Sequence, residues 1–73
     1  MKYLEGADTM IGKNIQNLRE QHGWTQAMLA KSICVTRQAL TNYENEKREP
    51  DINILIQLAN RLDTTIDDLV GRK

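Results

Sequence analysis

Between residues 34 and 44 the chain reads CVTRQALTNYE. Leu40 and Tyr43 lie three apart, the spacing of one helical face, and they suit a core. Arg37, Gln38, Thr41, Asn42 and Asn45 then fall together on the opposite face. Their chemistry is that of hydrogen bonding to base edges. An arginine fork matches O6 and N7 of guanine, and a Gln or Asn amide matches N6 and N7 of adenine. Thr41 offers a hydroxyl and a methyl group, the latter a partner for the thymine methyl. Arg37 and Gln38 stand in the first turn, where a helix reaches deepest into a groove. A polar face turned to solvent uses the same residue types.

Other chemistries find no residues to carry them. The sequence shows no nucleophile–base pair, carboxylate dyad, metal cluster or phosphate-binding glycine loop, so neither catalysis nor a cofactor is expected. One Cys and one His do not make a conventional zinc site. Cys34 reads as a small packing residue, with oxidation in its turn as the competing role. Trp24 reads as a lid on the core, His22 as a last-turn residue set against the helix dipole, and Met1, Met10 and Met28 as start and packing residues.

The elements around this face are helices. The chain has 73 residues, 40% of them hydrophobic, no Phe and a single Pro. That is one small domain packed through Leu, Ile and Ala. Residues 1–9 show no period and read as an extension or arm, with residues 10–73 as the domain. Ile11, Ile15 and Leu18 mark a first helix, with Asp8 or Thr9 as its cap and Gly23 just past its end. Thr25 caps a second helix, with Trp24 stapled over Leu29 and with Leu29, Ala30 and Ile33 inward. Thr36 caps a third, running to about Asn45. So short a connection forces the second and third helices to cross steeply.

Asp51 caps a fourth helix that turns Ile52, Leu55, Leu58, Ala59 and Leu62 inward. Ile54 and Ile56 widen its apolar arc beyond the need of one core. Thr65 to Asp68 reads as a capping box for a last short helix carrying Ile66, Leu69 and Val70. No apolar run is long enough to cross a membrane and no signal-peptide pattern appears, so the cytoplasm is the expected location, which the unpaired cysteine suits.

Charge is the dissenting observation. Ten basic residues balance ten acidic ones, so no overall field draws in nucleic acid. Arg37, Lys47 and Arg48 are interleaved with Glu44, Glu46 and Glu49.

Taken in order, Gln26, Leu29, Ala30, Ile33, Val35, Leu40, Tyr43 and Glu44 resemble the helix-turn-helix of the phage-repressor and Cro type, the XRE family. The likeness runs from about Ile11 to Val70 and includes "LRE", "TQ" at the second helix and "YENEKREP" after the third. It implies an all-α, five-helix, lambda-repressor-like domain that regulates transcription by binding double-stranded DNA as a homodimer, most simply as a repressor. Base reading is expected of Arg37, Gln38, Thr41 and Asn42. Phosphate contact is expected of Thr25, Gln26, Thr36, Asn45, Lys47 and Arg48, which set register and affinity rather than sequence choice.

Arg19 and Glu44 stand where the family often forms an ion pair that orients the reading helix. A dimer surface is expected at Ile54, Ile56, Ile66, Leu69 and Val70, with Tyr3 and Leu4 of the arm as the alternative. The competing functions are a protein-interaction module, such as an antitoxin using the surface of the last two helices, and a helix-turn-helix that has lost DNA binding. No separate ligand-binding domain is expected within this length, and a monomer is expected to bind weakly.

Cys34, Glu46 and Asp63 depart from the family by replacing common glycines. A left-handed backbone retained there costs roughly 1 kcal/mol at each, unless the turn changes. Glu46 also brings negative charge near the expected phosphate track.

Overall fold

The computed structural model describes residues 10–71. Five helices follow in order: α1 (Ile11–Gln21), α2 (Gln26–Ser32), α3 (Arg37–Glu44), α4 (Ile52–Arg61) and α5 (Ile66–Val70). Among the described residues there is no strand. Ile15, Leu29, Ile33, Leu40, Leu58, Leu62 and Leu69 are almost wholly removed from solvent. Every helix or its cap therefore supplies the core. Ala30 and Ala59 complete it, and Trp24, Val35 and Tyr43 pack against its margin. The arm at 1–9, with Tyr3 and Leu4, lies outside the described residues.

Four helices start as their cap residues dictate. Thr25, Thr36, Asp51 and Thr65 each accept a bond from the backbone N–H three residues on, at 2.9–3.1 Å. The first helix departs from expectation. Its N-cap is Met10, which has no oxygen to offer, whereas Asp8 and Thr9 lie outside the described residues. The N–H of Lys13 donates instead to Glu46 Oε2 at 3.1 Å. A carboxylate from the loop after α3 thus closes the positive end of α1.

Gly12 makes that arrangement sterically feasible. A Cβ there would collide with the carbonyl oxygen of Tyr43, and would lie 2.6 Å from that of Glu44 and 2.7 Å from Glu46 Oε2. No side chain fits in that space, so α1 meets the end of α3 at backbone distance.

Four helix ends share one device. The N–H groups of Trp24, Val35, Lys47 and Thr64 each bond back to the carbonyl five residues earlier, at 2.9–3.2 Å. This bond places the preceding residue in the left-handed region, as in the Schellman motif. Gly23 takes it at φ 74°, and Cys34, Glu46 and Asp63 take it at 60°, 64° and 56°. The three departures from glycine therefore keep the left-handed backbone.

Two side chains are placed differently from expectation. Ile52 is 59% exposed rather than inward. Burial deepens along α4 from half-buried Ile54 and Leu55 to buried Leu58 and Ala59, so its first turn projects past the core. Leu69, assigned above to a dimer surface, has no exposure at all. The five-residue α5 spends that residue on the core, while Asn14 of α1 donates to the Leu69 carbonyl at 2.8 Å.

Cys34→Gly should raise the unfolding free energy by about 1 kcal/mol in urea titration, because it removes a left-handed β-carbon. Glu46→Gly should gain clearly less, since it relieves the same strain but opens the end of α1. Equal gains at both positions would mean that the Glu46 carboxylate contributes nothing to α1.

Candidate nucleic-acid interface

Arg19 and Glu44 are the polar residues of the core, 9% and 5% exposed. Arg19 Nε donates to Glu44 Oε2 at 2.7 Å and Nη2 to Oε1 at 3.2 Å. This is the paired fork geometry that suits guanidinium and carboxylate. Arg19 Nη1 also donates to the Trp24 carbonyl at 2.7 Å. The expected ion pair is therefore present and buried, and it spans α1, the residue before the α2 cap, and the last residue of α3.

The bonding continues outward. Gln26, at the start of α2, donates from Nε2 to Glu44 Oε1 at 3.0 Å. Its Oε1 accepts from Thr41 Oγ1 at 3.0 Å. Thr41 Oγ1 also lies in donating position 2.9 Å from the Arg37 carbonyl. A continuous path thus joins the Trp24 backbone, Arg19, Glu44, Gln26 and Thr41. Gln26, assigned above to phosphate contact, has both ends of its amide engaged within the protein; one of its two amide N–H groups remains beyond the bond to Glu44.

The polar face of α3 is placed as the spacing predicts. Leu40 is buried and Tyr43 packs against the core, while Arg37, Gln38 and Asn45 are exposed and Thr41 and Asn42 half-buried. Gln38 Nε2 donates to Asn42 Oδ1 at 3.2 Å. This leaves the Gln38 oxygen and the Asn42 nitrogen as an adjacent acceptor and donor. Arg37 also borders a shallow depression with Trp24, Thr25, Gln26 and Ala27, so the start of α3 lies beside the start of α2.

Thr25 and Thr36 use oxygen lone pairs to cap α2 and α3, and each keeps its hydroxyl proton for donation. Lys47 and Arg48 are exposed in the loop after α3. Their backbone N–H groups bond to the Asn42 carbonyl at 2.9 and 3.4 Å, which ties that loop to the polar face. Glu46 points its carboxylate to α1 instead.

Gly12 and the Gln26–Thr41 link are absent from the sequence reading. A small residue beside Ile11 carries a weak signal of close packing, but nothing in the sequence names its partner. Thr41 reads equally well as a base-facing residue, because its hydroxyl partner lies fifteen residues away on another helix.

Among the described residues no group of three or more His, Cys, Asp or Glu side chains is placed to hold a metal. No helix there is long and apolar enough to cross a membrane.

If the buried pair orients α3, losing one partner strands the other charge. Glu44→Gln should cost about 3–5 kcal/mol in urea unfolding. The double replacement Arg19→Met with Glu44→Leu should cost clearly less than the sum of the two single losses. A loss below about 1 kcal/mol for Glu44→Gln would place this contact with ordinary surface ion pairs.

Comparison with known proteins adds family and fold. Residues 15–69 match the helix-turn-helix family model. The HTH-type transcriptional regulator ImmR of Bacillus subtilis (strain 168) is 32% identical over 62 residues, covering 85% of this chain and 49% of that protein. The antitoxin PezA of Streptococcus pneumoniae serotype 4 (strain ATCC BAA-334 / TIGR4) is 32% identical over 62 residues, covering 85% of this chain and 39% of that protein. The chain thus spans half or less of the length of these curated relatives. Among solved structures, the P22 c2 repressor protein in complex with a synthetic operator superposes with a TM-score of 0.82 at 28% identity, covering 85% of this chain and 96% of that one. With more than half of its residues matched, the chain belongs to the helix-turn-helix family, with the fold of the phage-repressor DNA-binding domain.

Proposed function

We propose that this chain is a sequence-specific, double-stranded DNA-binding domain of a transcriptional regulator, most simply a repressor, acting in the cytoplasm. One observation carries the reading. The inner side of α3 is fixed by Leu40 and by a buried, bidentate ion pair, while its outer side presents Arg37, Gln38, Thr41 and Asn42. Such a rigid helix, with amides and a guanidinium on its free face, suits insertion into the major groove. The likeness to a repressor in complex with a synthetic operator supports DNA binding.

In this reading α2 lies across the backbone. Thr25, Thr36, Asn45, Lys47 and Arg48 supply phosphate contacts, and Gln26 contributes its remaining amide proton. The neutral net charge makes a single domain a weak binder, so binding is completed by a homodimer on half-sites roughly 34 Å apart. The apolar dimer surface then centres on Ile56 and Val70, with half-buried Ile54 and Ile66 at its edge and exposed Ile52 added. Leu69 has no part in it. The function needs no metal, cofactor or catalytic residue.

A second reading has one observation in its favour. Ile52 and Ile56 are 59% and 43% exposed on the same side of α4, an apolar surface that suits a protein partner in an antitoxin as well as a second copy. A homodimer formed without any partner would count against it.

Selection from sheared genomic DNA at near-physiological salt should recover a short inverted repeat. On that site Arg37→Ala should cost about 1–3 kcal/mol and relax one base position. Lys47→Ala should weaken all sequences alike and flatten the salt dependence by about one phosphate contact. Arg37 adjoins the N-terminus of α2, so the comparison is decisive for it. Should Arg37→Ala behave as Lys47→Ala does, Arg37 binds phosphate and the base-reading assignment is wrong.

A further inference from the structure

Gln26 is half-buried between Glu44 and Thr41, and the two ends of its amide are not interchangeable there. Glu44 is a carboxylate engaged with Arg19, and a carboxylate only accepts. A reversed amide would set oxygen against oxygen, so the nitrogen faces Glu44 and the oxygen faces Thr41. The Arg37 carbonyl provides a second acceptor, 2.9 Å from Thr41 Oγ1. A threonine hydroxyl has one proton and two lone pairs. Here the single proton is claimed by two acceptors of the protein itself. Lone pairs are what Thr41 has left to offer outward.

Thr41 follows Arg37 by one helical turn and Gln38 by three residues, so it shares their face. In the major groove the exposed donors are the amino groups at N6 of adenine and N4 of cytosine. Guanine O6 and thymine O4 are acceptors, and so are phosphate oxygens. Building on the DNA-binding reading, we propose that Thr41 is a specificity-determining residue that works as an acceptor alone, taking a hydrogen bond from an exocyclic amino group and disfavouring a carbonyl in the same place. Gln26 and Glu44 act through it as positioning residues. The buried ion pair thereby fixes not only where α3 lies but also the hydrogen-bonding sense of one of its readers.

The test uses the whole chain and the DNA recovered by genomic selection. Each adenine of the site is replaced in turn by purine, and each cytosine by 2-pyrimidinone, bases that lack the amino group. At one position and its symmetry mate the wild-type protein should lose about tenfold in affinity. Thr41→Val, which keeps the shape without the hydroxyl, should already be weaker by a similar factor on the natural site and lose nothing more on the analogue. Thr41→Ser, which keeps the hydroxyl, should lose affinity on the analogue as wild type does.

Analogue losses that are the same in wild type and Thr41→Val at every position overturn the proposal. Coupling of Thr41 to thymine O4, read by substituting 5-methyl-2-pyrimidinone for thymine, overturns it too, because the hydroxyl would then be donating. Binding of no DNA by the folded protein defeats the DNA-binding reading itself, and this inference with it. Specific binding without the coupling defeats the inference alone.

Discussion

The buried contact between Arg19 and Glu44 is the interaction on which the arrangement of this domain depends. A guanidinium and a carboxylate removed from water are costly unless each is fully satisfied by its surroundings. Here the carboxylate takes both arms of the arginine fork and the Gln26 amide, while the remaining arginine nitrogen binds the Trp24 carbonyl. Every partner belongs to a different segment. An apolar contact tolerates small shifts of its helices, whereas these bonds lengthen and bend as soon as α1, α2 or α3 moves. The domain thus gains a defined angle for α3, an order that the Leu- and Ile-rich core alone would impose less strictly.

A second constraint is economy of length. With four to seven residues between successive helices, each helix must stop and reverse within a single turn. The repeated five-residue backward bond accomplishes this and requires one left-handed residue each time. Glycine fills the position after α1, but Cys34, Glu46 and Asp63 fill the others. Asp tolerates that region better than most residues, and Glu46 gains a compensation there, because the left-handed turn aims its carboxylate at the uncapped start of α1. Cys34 is exposed, and no bond from its side chain offsets its strain. The same negative charge that lay near the expected phosphate track in the sequence is thereby drawn toward a helix end.

Much of this was legible in the residues themselves. Helical spacing and the caps at Thr25, Thr36, Asp51 and Thr65 located four helices closely, because capping is a local interaction between residues three apart. The opposition of Leu40 and Tyr43 to the polar face of α3 was legible for the same reason. What escaped was tertiary. Met10 at a helix start gives no hint that Glu46 will serve as its cap, and Gly12 does not announce the carbonyls it meets. The inward placement of Ile52 failed because periodicity gives a residue's side of the helix but not how far the neighbouring helices extend along it. Leu69 failed conversely: a short apolar helix was read as surplus when its one deep residue was needed by the core.

The balance of charge now has a physical place in the functional reading. A strongly basic domain binds any duplex through counterion release and separates sequences only by what is added to that. A neutral chain has a smaller sequence-independent term, so a larger share of its affinity must come from base contacts and from pairing two domains. Such contacts count only if their geometry is fixed beforehand, since ordering a floppy side chain or helix on binding would consume the gain. The ion pair beneath α3, the Gln38–Asn42 bond across it and the restrained hydroxyl of Thr41 all reduce that ordering cost. In the proposed function, low net charge and a rigid polar helix are therefore parts of one design: weak attraction to DNA in general, leaving discrimination to a few side chains whose orientation is settled inside the protein.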